Sequence, residues 1–135
     1  MNLAYHVVVF DRATDALWTV LGLSAAYRVQ TGGGTFAGEA HIQYQAEPLL
    51  GDSVTVTLLI LGADAKHMHL VHEMYRGSDV VAQAELMLLH VDLATRRVTP
   101  FRGEAAANIA AAAAHGHLHY PIWAGRRLAM PSRAL

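Results

Sequence analysis

The chain has 135 residues, 53% of them hydrophobic and only 16% charged, which predicts one domain (1–135) with a substantial core. Ten basic against eleven acidic residues exclude the basic footprint of a nucleic-acid binder, and no lysine-rich run marks a membrane surface. No run of about 18 apolar residues is present to span a bilayer. With no cysteine, disulfides and thiol chemistry are excluded, and with no signal-peptide pattern ahead of Leu3 a cytoplasmic location is expected. So apolar a composition in so small a chain also predicts a partner subunit covering part of the surface.

A helix is predicted from Leu3 to Leu21, with Asn2 as its N-cap and Gly22 as the residue that ends it. The β-branched run Val7-Val8-Val9 favours a strand, but length and caps decide for helix. Residues 3–10 are apolar nearly all round, which predicts burial on most sides. Further along, Arg12, Asp15 and Thr19 form a polar stripe, and Ala13, Ala16, Leu17, Val20 and Leu21 an apolar one. Residues 23–35 read as a loop ending in Gly32-Gly33-Gly34.

Four strands follow. In the first, Phe36, Gly38, Ala40, Ile42, Tyr44 and Ala46 alternate with Glu39, His41, Gln43, Gln45 and Glu47. The second, Ser53 to Leu61, puts Val54, Val56, Leu58 and Ile60 on one face and Leu59 and Leu61 on the other, so its far end should be covered on both sides. The third (His67 to Arg76) and fourth (Val80 to Asp92) form a hairpin about Gly77-Ser78-Asp79. Glu104 to Ala114 is an Ala-rich helix expected as an outlying cap with little to bury, and the tail from His115 is expected as an extended edge segment. The fold class is therefore α+β: a hairpin-rich antiparallel sheet with one long helix buried against it.

Several strings carry a resemblance: Met1-Asn2-Leu3-Ala4-Tyr5, Val9-Phe10-Asp11-Arg12-Ala13-Thr14-Asp15-Ala16-Leu17-Trp18, Glu39-Ala40-His41-Ile42, Leu50-Gly51-Asp52-Ser53-Val54, His69-Leu70-Val71-His72-Glu73-Met74-Tyr75-Arg76 and Leu88-Leu89-His90-Val91-Asp92. In these the chain resembles hotdog-fold acyl-CoA thioesterases of the 4-hydroxybenzoyl-CoA thioesterase type, and among them the betainyl-CoA thioesterases. The resemblance runs from Met1 to about Arg127. It implies a long central helix wrapped by a curved antiparallel sheet, an acyl-CoA substrate, no cofactor, and a homodimer or tetramer with its site at a dimer interface. In that family a first strand and a loop with an Asp, then Gly-His, precede the Met-Asn that opens the helix. This sequence opens at that Met, so that Asp and His have no counterpart in it, either because its start is assigned too late or because this version has lost the family's base, and Asn2 and Tyr5 are the motif positions that remain.

Thioester hydrolysis needs a carboxylate as base or nucleophile and donors for the developing oxyanion, which a helix N-terminus supplies. This makes Asn2 a candidate, against the simpler reading that it only caps the helix. Glu39 and His41 lie two apart on one strand, on the same face and about 7 Å apart, and together can activate water. The resemblance places a Glu-x-His in close relatives; the competing reading is a solvated polar face with Gln43 and Gln45. For the substrate, Tyr5 and Trp18 are candidates among aromatics that include Tyr27, Tyr120 and Trp123, because a trimethylammonium acyl group favours an aromatic cage. Arg76 is the candidate for coenzyme A phosphates, with Lys66, Arg96, Arg126 and Arg127 as further cations. His67, His69 and Glu73, and the series His115, His117, His119, have no settled metal geometry, so no metal is expected. The expected function is acyl-CoA thioester hydrolysis, of betainyl-CoA or a related short acyl-CoA. A non-catalytic acyl-CoA-binding hotdog is the alternative, with a hotdog hydratase or dehydratase behind it.

Overall fold

The computed structural model describes residues 3–49, 51–125, 128 and 130; Asn2, Arg126 and Arg127 lie outside the described residues. Helix α1 runs Leu3–Leu21 and a short helix α2 Ala25–Thr31. Strands β1 (Gly33–Tyr44), β2 (Thr55–Ala63), β3 (His67–Arg76) and β4 (Asp79–Asp92) follow, then helix α3 (Gly103–Gly116). The sheet order is β1-β4-β3-β2, antiparallel throughout. With α1 against one face, this is the α+β hotdog arrangement the resemblance implied. No helix among the described residues is long and apolar enough to cross a membrane.

Strand alternation assigns two faces. Met68, Leu70, His72 and Met74 of β3 and Ala82, Ala84 and Leu88 of β4 turn inward, where α1 lies, and all are buried. From α1 the buried positions are His6, Phe10, Thr14, Leu17 and Leu21, spaced by three and four as one helical face requires. Leu17 and Leu21 therefore fulfil the expected apolar stripe, but Ala16 is exposed and Val20 is 78% exposed. The N-terminal half of α1 is likewise not buried on most sides within one chain, since Tyr5, Val7 and Val8 face outward. An all-round apolar sequence cannot say which of its sides the sheet will meet.

Three further departures have local causes. The stretch expected as a loop before the first strand contains α2, bounded by Ser24 and by Gly32 in the left-handed region (φ 70°). Seven residues hold as a helix because Tyr27 buries and its hydroxyl donates to His90 Nε2 at 2.8 Å while accepting the Arg102 N–H at 3.1 Å. The strand then begins at Gly33 rather than Phe36, with Gly33 paired to Asp92 and Gly34 to Val91, and the missing side chain at Gly33 leaves room for the His90 ring, from which a Cβ would stand 2.5 Å. Second, β1 bulges between Ala37 and Glu39, so Phe36 pairs with Leu89 on the outer face and Ala37 with Leu88 on the inner. The simple alternation that put Phe36 beside Ala40 is broken by that one extra residue.

Third, α3 is no outlying cap. Ala105, Ile109 and Ala113 join Leu17, Leu21, Ile60 and Leu70 in the main core cluster, and Gly116 approaches the Ile60 carbonyl so closely that a methyl group would overlap it. Small side chains here serve close helix–sheet approach rather than signalling little to bury. Asn108 of α3 also donates to the Leu21 carbonyl at 3.0 Å, satisfying one of the open carbonyls at the end of α1. The tail is not an extended edge segment: it makes a 3₁₀ turn at His117–His119 and a further turn closed by the Ala124 N–H on the Pro121 carbonyl at 3.2 Å.

Candidate active site

Glu39 and His41 stand on the outer face of β1, in register with Met87 and Glu85 of β4. Next to β4, His69 of β3 points to the same side, its Nε2 2.5 Å from the Glu85 carboxylate. These four side chains line a cavity of about 540 Å³ with a partly apolar floor of Leu86 and Met87. The tail reaches this cavity across the outer face: the Gly125 N–H donates to both Glu85 oxygens, at 2.8 and 3.0 Å, and the Tyr120 ring stands edge-on to His69 at 5.9 Å. Glu85 and His69 were not singled out from the sequence as acid–base groups. The signal available was their spacing on two strands that the hairpin makes adjacent, which needs the register before it can be read.

On the inner face a smaller groove of about 260 Å³ separates α1 from β1. Asp11 and Thr14 supply its polar atoms from α1, with Phe10 and Trp18 on the same helix and Ala40 and Ile42 opposite. Behind it, the Thr14 hydroxyl donates to the Phe10 carbonyl at 3.0 Å and stands 2.8 Å from His72 Nε2. His72 thus donates Nε2–H to Thr14 and keeps a bare Nδ1, which finds no partner among the described residues. Burial lowers its pKa from 6.5 to about 4, so the ring is neutral at physiological pH. His90 is fixed differently: its Nδ1–H donates to the Thr99 carbonyl at 2.9 Å and Nε2 accepts from Tyr27. Burial lowers its pKa too, more than the bond to Thr99 raises it.

The structure thus brings Glu39 and His41 together but separates them by the thickness of the sheet from Tyr5 and Trp18 on α1. Tyr5 is 62% exposed and Trp18 half-buried against the core. Arg76, at the other end of β3 and about 23 Å along the strand from His69, is tied to the Asp52 carboxylate at 3.3 Å and the Glu47 carbonyl at 3.4 Å. Asp52 is held below the usual carboxylate range chiefly by the Leu49 N–H, then by Arg76. His67 turns to Asp64 at 2.9 Å rather than to His69, and the His115 ring lies against His119.

The model of the thioesterase-like superfamily matches residues 1–109. This chain belongs to the thioesterase-like superfamily. It is 37% identical over 131 residues to a betainyl-CoA thioesterase of Pseudomonas aeruginosa, covering 95% of this chain and 82% of that one. A hypothetical protein of Staphylococcus aureus solved in complex with CoA superposes with a TM-score of 0.86 at 27% identity, over 97% of this chain and 84% of the other. A structure from Pseudomonas putida described as that of a putative thioesterase matches with a TM-score of 0.77 at 32% identity, over 98% of this chain and 86% of the other. As a member of this superfamily with such relatives, the chain is an acyl-CoA thioesterase.

Proposed function

We propose that this chain hydrolyses betainyl-CoA or a related short acyl-CoA, with Glu39 as general base in the outer-face cavity. The observation that carries this reading is the gathering of Glu39, His41, His69 and Glu85 around one cavity of about 540 Å³. Glu39 takes a proton from water as its oxygen adds to the thioester carbonyl carbon. An imidazole N–H of His41 donates to the developing oxyanion, the C–S bond breaks, and the leaving thiolate takes the proton from Glu39. The products are the free acid and coenzyme A.

The working unit on this reading is a cytoplasmic homodimer, or a tetramer built from it, of single-domain chains. Tyr5, Val7 and Val8 on α1 and Phe36 and Tyr44 on the edge strand β1 present apolar surface that a second copy would cover. A site shared between copies would also give Asn2, Tyr5, Trp18 and Arg76 a route to the substrate that one chain alone does not offer. A second reading is favoured by Asp11, the carboxylate that lines the inner groove beside Thr14 and Trp18: hydrolysis there, with Asp11 as the base.

Two isosteric changes separate these readings in a free-thiol assay with betainyl-CoA. Glu39→Gln should lower kcat by about a hundredfold or more, the usual scale for loss of a general base, while Asp11→Asn should leave turnover within a few-fold. The reverse pattern would move the chemistry to the inner groove, and saturable binding of betainyl-CoA without any turnover would instead favour a binding protein.

A further inference from the structure

We propose that the tail from Tyr120 to Gly125 is a movable wall of the outer-face cavity, latched by the Gly125 N–H on Glu85, and that it sets how long an acyl chain the site accepts. This rests on the reading that hydrolysis occurs in that cavity. The superfamily model matches up to residue 109, so the tail lies beyond the stretch that defines the superfamily. After α3 it crosses the outer face from β2 towards β4. His119 and Pro121 share a small cavity with Thr57 and Leu59 of β2 and Val71 of β3, the Tyr120 ring leans edge-on against His69, and Gly125 reaches the lining of the main cavity. The two sides of that cavity are unlike. Glu39 stands exposed on β1, the edge strand. Met87 of β4 pairs with both Glu39 and His69, so the three form one row across the sheet about 10 Å long. Coenzyme A is far longer than that row. With the thioester at Glu39 it leaves over the open β1 edge, and the acyl chain runs inward to His69, Glu85 and the tail.

The wall is held lightly. Among the described residues, hydrogen bonding ties positions 117–125 to the sheet at one place, where the Gly125 N–H meets both Glu85 oxygens at 2.8 and 3.0 Å. Its apolar side chains add little grip, since Leu118 and Tyr120 are exposed and Ile122 is 90% exposed. A segment with few buried apolar contacts and a single anchoring point opens at low free-energy cost while the sheet beneath it stays folded. Gly125 makes the latch with φ 76°, a left-handed conformation that a β-branched residue adopts only under strain. A Cβ there would meet nothing closer than the Tyr120 hydroxyl at 3.8 Å, so backbone conformation rather than space ties this position to glycine. An acyl chain that outgrows the row from Glu39 to His69 meets this wall and must lift it.

The test measures kcat/KM for butanoyl-CoA and dodecanoyl-CoA in the wild-type chain, Gly125→Val and Tyr120→Ala, and follows amide exchange at position 125 by NMR. In the wild type that amide should be protected and the short chain preferred. Each variant should lose the protection and raise the relative kcat/KM for dodecanoyl-CoA by about tenfold or more, the scale on which pocket size separates chain lengths. The sign decides the matter. With the tail still in place, Gly125→Val would add bulk at the wall and could only lower the long-chain rate, and Tyr120→Ala, outside the cavity lining, would leave it unchanged. Either result overturns the proposal, as does a freely exchanging Gly125 amide in the wild type. Lost protection with an unaltered chain-length preference overturns the size filter. Full betainyl-CoA turnover by Glu39→Gln would instead overturn the reading on which it rests.

Discussion

His72 makes a measurable claim about acid stability. The ring is fully buried, stacked on Phe10 at 5.6 Å and bonded to Thr14, and its pKa falls from 6.5 to about 4 because burial penalises the charged form. A base whose pKa is lowered on folding binds more protons when unfolded. Its contribution is therefore intact above pH 6.5 and declines as pH falls through the window from 6.5 to 4. Some 2.5 pH units at 1.36 kcal/mol each amount to about 3 kcal/mol, a large share of a small domain's stability. The assay is urea unfolding at several pH values from 7 to 4, at one fixed chain concentration so that any association contributes equally. His72→Gln retains a donor for Thr14 but cannot titrate. Its stability should start lower at pH 7 and fall less steeply, the two curves converging by about 3 kcal/mol at pH 4. His90, whose pKa is also lowered by burial, contributes the same slope to both proteins and cancels in the difference. Parallel curves for wild type and variant would refute the buried, neutral assignment of His72.

Leu17→Ala and Leu21→Ala should each cost about 2–5 kcal/mol, both side chains being buried in the main core cluster, whereas exposed Arg12 should tolerate Ala within about 0.5 kcal/mol; equal losses in urea unfolding would mean that α1 is turned the other way. Gly116→Ala should cost about 3 kcal/mol despite being the mildest of changes, since its methyl group would displace α3 from the Ile60 carbonyl; an unaltered unfolding midpoint would contradict that close approach. Light scattering at micromolar concentration should give at least twice the 14.6 kDa of one chain, and a stable monomer would remove the shared-cleft proposal.

Local regularities were legible without coordinates. Leu3–Leu21 and His67–Arg76 form where caps, length and alternation placed them, because each is stabilised by periodic burial that the sequence writes along a single element. Glu39 and His41 were recognisable as a same-face pair for the same reason. What tertiary structure alone decided is which groups lie opposite one another across elements. The face of the sheet that receives α1, and hence the separation of Glu39 and His41 from Tyr5 and Trp18, depends on packing that no single strand encodes. The partnership of His69 with Glu85 depends on hairpin register, and the anchoring of Glu85 by Gly125 depends on a tail folding back over the sheet. The helix Ala25–Thr31 belongs with these: seven residues are too few to nucleate alone, and it exists because Tyr27 finds His90 sixty-three residues away.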